Sequence, residues 1–151
     1  MKKIILLLIF IFPVTISAYQ VKLYTCVDGD TFRIKLDNKK YYVRLLAVDT
    51  YELDSKNTFQ RKYAYKASKY TCKLLKNSKN IYIKNDPNSA EEDKYGRLLG
   101  WVYVDDTLLQ ELLVKNGYAK VAYIFDNYLY TNELLKYQEL AKKNKVGIWK
   151  K

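Results

Sequence analysis

Apolar and polar residues alternate in several short segments of the chain, and a period of two is typical of strands that bury one face. The clearest case is the segment in which Ile81 and Ile83 alternate with Tyr82 and Lys84. Asp28-Gly29-Asp30 and Asp37-Asn38-Lys39 contain the residue types that turns between strands prefer. The predicted strands are Val21–Val27, Thr31–Leu36, Tyr41–Leu46, Ile81–Lys84 and Leu98–Val104.

A helical period lies between the third and fourth of these strands. Phe59, Tyr63, Ala67, Tyr70 and Leu74 follow one another at steps of three or four residues, which is the spacing of one helix face. Lysines and one arginine occupy the opposite side of the same segment. The pattern therefore predicts a basic amphipathic helix.

Two further helices are predicted after the last strand. The first carries four leucines between positions 108 and 113, with Thr107 as its N-cap and Gly117 placed to end it. The second runs from about Tyr130 to Asn144. Five short strands and three helices indicate a small α+β domain. Closing the five strands into a barrel would remove the exposed edges of the sheet.

The first 18 residues differ in character from the rest of the chain. Lys2 and Lys3 precede an apolar run of 13 residues from Ile4 to Ile16, as in a secretory signal peptide. A spanning helix needs about 20 residues, and an uncleaved anchor is the alternative. We expect residues 1–18 to be a signal peptide and residues 19–151 to form one domain. The expected location is secreted or periplasmic, with retention at the cell surface left open and no stable membrane insertion after cleavage.

Composition narrows the chemistry that this domain can perform. The chain has no histidine, which excludes Ser-His-Asp triads and His-ligated zinc sites. Catalysis must then rest on carboxylates, Lys, Arg, Tyr or a metal ion. The net charge of +11 falls to +9 when Lys2 and Lys3 are removed. Such a charge favours a polyanion such as nucleic acid as partner, although a Lys-rich surface also serves solubility.

The two cysteines, Cys26 and Cys72, both lie in the expected mature domain. An oxidising compartment would allow them to form a disulfide. That bond would close a separation of 46 residues, and the chain-entropy estimate for such a loop is roughly 4 kcal/mol. Two unpaired thiols are an equally good interpretation, because the sequence does not show whether the side chains face each other.

Two acidic clusters follow predicted strands: Asp28-Gly29-Asp30-Thr31 and Asp49-Thr50-Tyr51-Glu52. Carboxylates on loops beside a rigid sheet are good ligands for Ca²⁺ or Mg²⁺. The simpler interpretation of the first cluster is a turn that requires glycine and tolerates aspartate.

Two of the four arginines stand at notable positions. Arg44 lies in an otherwise apolar strand five residues before Asp49, and Arg97 ends the segment Asp93–Arg97. A guanidinium group makes bidentate contacts with phosphate that an ammonium group cannot make. Alternatively, Arg44 pairs with a carboxylate for structural reasons alone.

Taken together and in this order, these motifs resemble the staphylococcal nuclease (thermonuclease) family. The similarity runs from about Val21 to Trp149, and four separated motifs make it specific. The motifs are Val43-Arg44-Leu45-Leu46-Ala47-Val48-Asp49-Thr50, Lys94-Tyr95-Gly96-Arg97, Gly117-Tyr118-Ala119-Lys120-Val121-Ala122-Tyr123 and Gly147-Ile148-Trp149.

The resemblance implies a five-stranded OB-fold β-barrel with three packed helices. It also implies a Ca²⁺-dependent, monomeric endonuclease that acts on DNA and RNA, breaks the 5′ P–O bond and leaves 3′-phosphates. The resemblance assigns Asp30, Asp49 and the carbonyl of Thr50 to Ca²⁺. Carried over in the same way, Glu52 would orient or deprotonate the attacking water. The remaining residues carried over are Arg44 and Arg97 for the scissile phosphate and Lys94, Tyr95 and Tyr123 for substrate binding.

Two positions depart from the family pattern. Tyr51 stands where the family commonly has a proline, and because proline fixes φ, we expect Glu52 to be less rigidly held. Phe125 stands where a further tyrosine is usual, which keeps the ring for stacking and loses the hydroxyl. Tyr95 and Tyr123 could also be ordinary core residues in a chain with 16 tyrosines.

Two other function classes are alternatives to a nuclease. A catalytically silent nucleic-acid-binding barrel would need the basic face but not Asp30, Arg44, Asp49, Glu52 and Arg97 together. A basic protein that acts on anionic membranes would need an exposed amphipathic helix and would leave the acidic clusters unexplained.

Overall fold

The computed structural model of the protein describes residues 17–150, so the predicted signal peptide lies almost entirely outside the described residues. The strands are β1 Ala18–Cys26, β2 Thr31–Leu36, β3 Lys39–Leu45, β4 Val48–Thr50, β5 Ile81–Lys84, β6 Leu98–Val104, β7 Thr107–Leu108 and β8 Ala119–Val121. The helices are α1 Thr58–Asn77, α2 Leu109–Lys115 and α3 Thr131–Lys143, and a 3₁₀ turn spans Gly147–Trp149.

Five strands close into a mixed barrel. Antiparallel pairing joins β1 to β2, β2 to β3, β5 to β6 and β5 to β1. The ring is completed by a parallel pairing of β3 with β6, in which Val43 lies opposite Leu98 and Arg44 opposite Leu99. The predicted α+β class and the five-stranded OB-type barrel with three helices are confirmed.

The barrel interior is filled by every second residue of its strands. On β2, Phe32 and Ile34 are fully buried while Lys35 is exposed, as the period of a pleated strand requires. The core is apolar, so burial of these side chains is the main favourable contribution to folding. Its largest fully buried members are Trp101, Phe32, Ile34, Leu45, Ile83, Leu109, Leu113 and Leu134.

Helix α1 begins at a side-chain cap, because Asn57 Oδ1 accepts a hydrogen bond from the backbone N–H of Gln60 at 3.1 Å. Its buried residues are Tyr63, Ala64, Ala67, Thr71 and Leu75. The predicted buried face is therefore correct at Tyr63 and Ala67. Towards the end of the helix the most buried positions are Thr71 and Leu75 instead of the predicted Tyr70 and Leu74. The reason is that a buried polar residue, Thr71, interrupts the apolar pattern, and its hydroxyl donates to Gly29 O at 2.7 Å.

A disulfide joins the end of β1 to α1. Cys26 and Cys72 are bonded, with their Cα atoms 5.7 Å apart. Of the two alternatives that the sequence left open, the structure has the disulfide. It anchors the helix beside the turn that begins two residues after Cys26.

Two short strands, β4 and β8, were not predicted. They pair antiparallel with Asp49 opposite Lys120, and Ala47 reverses the chain between β3 and β4 with a φ of +59°. A buried glutamine on α3 supports the pair, since Gln138 Oε1 accepts from Val121 N at 2.7 Å. Strands of three residues carry too little pattern to be recognised in a sequence.

The start of α2 corrects another prediction. Thr107 lies in strand β7, and the cap position is Leu108, which makes no side-chain capping bond. Gly117 does follow the end of the helix, with a φ of +61° that suits glycine. Ile148 N donates to Gly117 O at 2.8 Å, and this bond closes the C-terminal turn onto α2. None of the helices within residues 17–150 has the length and apolar character needed to cross a bilayer.

Candidate active site

The turn between β1 and β2 presents Asp30 and is fixed from several sides. Asp28 Oδ1 accepts from the backbone N–H of Asp30 at 3.0 Å and of Thr31 at 2.7 Å. A Cβ at Gly29 would lie 2.7 Å from Ala67 Cβ and 2.8 Å from Thr50 Oγ1. Glycine is required here because α1 packs directly on the backbone of the turn.

The carboxylate of Asp30 is buried and fully engaged. Its Oδ2 accepts from Thr50 N at 2.8 Å and from Thr50 Oγ1 at 3.0 Å. Its Oδ1 accepts from Thr31 Oγ1 at 3.0 Å and lies 3.2 Å from Arg44 Nε. The carboxylate therefore connects the β1–β2 turn to β3 and β4.

Arg44 lies between two carboxylates. Besides its contact with Asp30, its Nη2 lies 3.2 Å from Asp49 Oδ1. Its Nη1 donates to Leu45 O and Val48 O, each at 2.7 Å. The residue is only 8% exposed. The structural pairing that the sequence suggested as an alternative is thus present, and it places the guanidinium beside Asp30 and Asp49, the two carboxylates among the predicted metal ligands.

Asp49 and Thr50 lie on β4, at the edge of the barrel. Asp49 is less buried than Asp30, and its Oδ2 lies 3.2 Å from Lys120 Nζ. Thr50 is buried beneath Asp30 and faces it with both its N–H and its hydroxyl. The short pairing of β4 with β8 is what brings Lys120 to this carboxylate.

Glu52 follows β4 by two residues and is exposed. Partial burial raises the pKa of Glu52, the charges of Asp30 and Asp49 raise it further, and Arg44 opposes the shift. Burial, followed by the charge of Asp30, also raises the pKa of Asp28 to about 6. The negative charge of Asp30 thus disfavours ionisation of both Asp28 and Glu52, and that of Asp49 disfavours ionisation of Glu52.

Arg97 belongs to a second, more exposed structure. Asp93 Oδ1 accepts from the backbone N–H groups of Tyr95 and Arg97 at 2.9 and 3.0 Å, and Asp93 Oδ2 accepts from Arg97 Nε at 2.7 Å. Burial acts to raise the pKa of Asp93, but these hydrogen bonds outweigh it and hold the pKa below its usual value. Arg44 lies on β3, and Arg97 is the loop residue directly before β6, the strand that pairs with β3.

Each of these arginines lies under an exposed tyrosine. Arg97 Cζ is 5.5 Å from the ring centroid of Tyr95, and Arg44 Cζ is 5.7 Å from that of Tyr123. Lys94 Nζ also lies 5.0 Å from the Tyr95 ring. Tyr95 is 72% and Tyr123 58% exposed, so the interpretation that they are core residues is wrong. Phe125 is exposed in the same way.

The residue types at this site fit a hard cation. Asp30, Asp49 and the Thr50 carbonyl supply oxygen ligands only, which is the set that Ca²⁺ prefers. A cation would also relieve the repulsion that raises the pKa of Glu52. Within residues 17–150, however, no three acidic or cysteine side chains are grouped as a ready-made metal site. A cation would compete with the Arg44 guanidinium for the same two carboxylates.

Several residues that shape the site were missed by the sequence interpretation. Asp93 holds Arg97, Lys120 pairs with Asp49, and Thr71 fixes the turn at Gly29. Asp93 could have been found, because an aspartate four residues before an arginine in a glycine-containing turn is a typical side-chain-to-backbone motif. Thr71 and Lys120 carry no such local signal.

Comparison with known proteins gives consistent results. A family model described as staphylococcal nuclease homologue matches residues 42–151. The endonuclease YncB of Bacillus subtilis (strain 168) is 40% identical over 132 residues, covering 87% of this chain and 62% of that protein. The SPbeta prophage-derived endonuclease YokF of the same organism is 39% identical over 132 residues, covering 87% of this chain and 44% of that protein.

A third relative is matched over more of its own length. The thermonuclease of Staphylococcus hyicus is 33% identical over 128 residues, covering 85% of this chain and 74% of that protein. The chain thus spans less than two thirds of the two Bacillus relatives but about three quarters of the thermonuclease.

Proposed function

This chain belongs to the staphylococcal nuclease family, and from that premise we propose that it is a Ca²⁺-dependent nuclease that hydrolyses phosphodiester bonds of DNA and RNA. The relatives named as endonucleases and thermonuclease support the reaction class. The observation that carries the proposal is the position of Arg44 between Asp30 and Asp49, with Glu52 within reach of their charges.

Glu52 is the proposed base. With no histidine in the chain, a carboxylate is the remaining group that can take a proton from the attacking water near neutral pH. Partial burial and the negative cluster raise the pKa of Glu52, which brings its basicity closer to what proton abstraction needs. Its exposed position at the end of β4 leaves room for a water molecule and a substrate.

The two arginines are proposed to bind the scissile phosphate. Negative charge accumulates on the phosphate oxygens as the attacking water adds to phosphorus, and the guanidinium groups of Arg44 and Arg97 can stabilise that charge. Asp30, Asp49 and the carbonyl of Thr50 would hold Ca²⁺, which supplies Lewis-acid stabilisation of the same oxygens. As the bond from the water oxygen to phosphorus forms, the P–O5′ bond breaks; the leaving 5′ oxygen takes a proton from solvent to become a hydroxyl, and the other product ends in a 3′-phosphate.

The exposed rings extend this site to the rest of the nucleotide. Tyr95 and Tyr123 each present a ring above an arginine, so a base or sugar can pack on the ring while the phosphate meets the guanidinium. Lys94 adds positive charge next to Tyr95.

We also propose that residues 1–18 direct the chain out of the cytoplasm and that the mature protein acts as a monomer, either secreted or periplasmic. The motivation is the basic start followed by an apolar run. N-terminal sequencing of the protein from the culture medium or the periplasm would test the cleavage, and sedimentation would test the oligomeric state. A full-length protein recovered only with the membrane would overturn the location.

An activity assay tests the proposed reaction directly. Residues 19–151 are incubated with 5′-labelled single-stranded DNA or RNA, with added Ca²⁺ and with excess chelator. With Ca²⁺ we expect fragments whose electrophoretic mobility changes after phosphatase treatment, because phosphatase removes a 3′-phosphate. With excess chelator we expect no fragments. Equal degradation in chelator would overturn the metal mechanism. Binding without cleavage in either condition would favour the silent barrel.

The substitution Glu52→Gln tests the base. Because the amide keeps the shape but cannot accept the proton, we expect turnover to fall by about 10²–10⁴-fold with strand binding nearly unchanged. Glu133→Gln, an exposed position in the first turn of α3, is the matched control and should retain full turnover. Full turnover in Glu52→Gln would remove Glu52 from this role.

A further inference from the structure

The outer surface of β1, β2 and β3 carries aromatic and cationic residues that the proposed active site does not use. Tyr24, Arg33, Lys40 and Tyr42 point away from the barrel interior, and we refer to these four residues as the outer β1–β3 face. Tyr24 is 46% and Tyr42 43% exposed. Both rings are therefore open to a partner, although large aromatic side chains are usually covered.

Arg33 lies between the two tyrosine rings. Its Cζ is 5.2 Å from the ring centroid of Tyr24 and 4.8 Å from that of Tyr42. Within residues 17–150 it forms no ion pair, and its buried Nε has no hydrogen-bond partner there. Arg44 and Arg97, in contrast, are both paired with aspartates. A guanidinium that no carboxylate within this range neutralises is a binding group for an external acceptor such as phosphate.

This face is continuous with the proposed active site. Tyr42 precedes Arg44 by two residues on β3, so both side chains start from the same side of the strand. The parallel register that pairs Val43 with Leu98 places Arg97 beside Tyr42. From Arg97 to Tyr24 the row crosses three strand spacings, or about 14 Å.

The charge of the surrounding residues also suits a polyanion. Lys22 lies opposite Lys35, and Lys35 lies opposite Lys40, so three lysines form a row across the same strands. Lys40 Nζ further donates to Tyr24 Oη at 2.9 Å and lies 4.1 Å from its ring centroid. Cross-strand pairing explains why such residues are neighbours, but mutual stabilisation alone would favour an acidic residue among the cations.

We propose that the outer β1–β3 face binds single-stranded nucleic acid beyond the scissile phosphate, with bases stacked on Tyr24 and Tyr42 and a phosphate on Arg33. The assignment to a single strand follows from the exposed rings, because stacking requires unpaired bases. The placement relative to the cleaved bond rests on the proposed nuclease function, whereas binding to the face does not.

Equilibrium binding tests the proposal without cleavage. Fluorescence anisotropy is measured in chelator for residues 19–151 with a labelled single strand of about 12 nucleotides, within the length that one OB-fold covers, and with a trinucleotide. We expect Tyr42→Ala to weaken binding of the longer strand about tenfold and Tyr42→Phe to retain it. Arg33→Gln should reduce the salt dependence of binding. The slope of log K against log salt concentration should be smaller in magnitude by about 0.7, because one phosphate contact is lost.

Two exposed positions on α1 serve as matched controls. Tyr65→Ala removes a ring that is 66% exposed, and Lys69→Gln removes one exposed positive charge; we expect neither to change the affinity or the slope. Unchanged binding in Tyr42→Ala and Arg33→Gln would overturn the proposal. An equal loss for the trinucleotide, or for a duplex of the same length, would also overturn it.

The outcome is separable from that of the proposed function. If the wild type binds the longer strand through this face but cleaves nothing with Ca²⁺, the nuclease assignment fails and the binding face stands. If cleavage occurs and the substitutions leave both binding and the KM for the longer strand unchanged, the nuclease stands and the face fails.

Discussion

Arg44 and Arg97 each contact an aspartate and a tyrosine ring, but they differ in burial and in the number of their contacts. Arg44 is almost completely buried and contacts two carboxylates and two backbone carbonyls from three neighbouring segments. Arg97 is 30% exposed at its side chain and contacts one carboxylate, Asp93, four residues earlier in the same loop. Both lie below an exposed tyrosine ring.

The difference shows how structural and functional roles can be combined or kept apart in one site. The Asp30–Arg44–Asp49 network connects the β1–β2 turn, β3 and β4, so it supports the fold as well as the proposed chemistry. The Asp93–Arg97 loop is held by local bonds and can change without disturbing the barrel. A substitution in the network should therefore affect stability and activity together, whereas one in the loop should affect activity with only a small change in stability.

The largest effect is expected for Arg44→Ala. Removing the guanidinium leaves the buried Asp30 without its cationic partner, leaves Asp49 with Lys120 alone, and removes donors from two carbonyls. The free energy of unfolding should fall by about 3–5 kcal/mol, with loss of activity. Urea unfolding followed by circular dichroism measures the change. Arg97→Ala is the control and should cost less than about 1 kcal/mol, as for exposed pairs; equal losses would contradict the distinction.

The disulfide should stabilise the region that contains the Asp30–Arg44–Asp49 network. Cys26–Cys72 closes a separation of 46 residues next to the Asp28–Asp30 turn. Replacing both cysteines by serine should lower the free energy of unfolding by roughly 4 kcal/mol, and hydrogen exchange should increase first at the turn and α1. Increased exchange confined to the Asp93–Arg97 loop would show that the disulfide supports the other region.

Arg97→Lys should separate activity from stability. Lysine keeps the charge but cannot make the bidentate contact with phosphate, so turnover should fall by about 10²-fold. The urea midpoint should stay near that of the wild type. Cleavage of single-stranded DNA with Ca²⁺, measured beside the unfolding curve, tests both parts. Unchanged turnover would mean that Arg97 serves only to organise its loop.

The smallest effect is expected for the contribution of Asp93 to the free energy of unfolding, which should depend on pH. Its hydrogen bonds from Arg97 and Tyr95 outweigh burial and lower its pKa. Its contribution is therefore complete above the unfolded value of about 4 and is lost as the pH falls through the lower folded value. Asp93→Asn should be less stable than the wild type at neutral pH and equal to it in strong acid. A difference that persists in acid would show that charge is not the cause.

Much of this architecture could be predicted from local pattern. The five barrel strands and α1 have clear periods, and Gly117 marks the end of α2 by a conformation that glycine favours. Thr107 was misassigned because threonine suits both an N-cap and a strand. The surroundings of Arg44 could be anticipated only as alternatives, since its neighbours lie 14 residues before it and 5 after it.

The sequence by itself determined the five barrel strands and the three helices, because hydrophobic periodicity and turn residues act over a few positions. The ordered motifs and the absence of histidine also indicated the candidate site residues from the sequence alone. Tertiary structure decided that Cys26 meets Cys72 and that β4 pairs with β8. It also decided that Arg44 has two ion pairs while Arg33 has none within residues 17–150. Most of these contacts join residues distant in the chain, and the packing of the helices and short strands against the barrel brings them together.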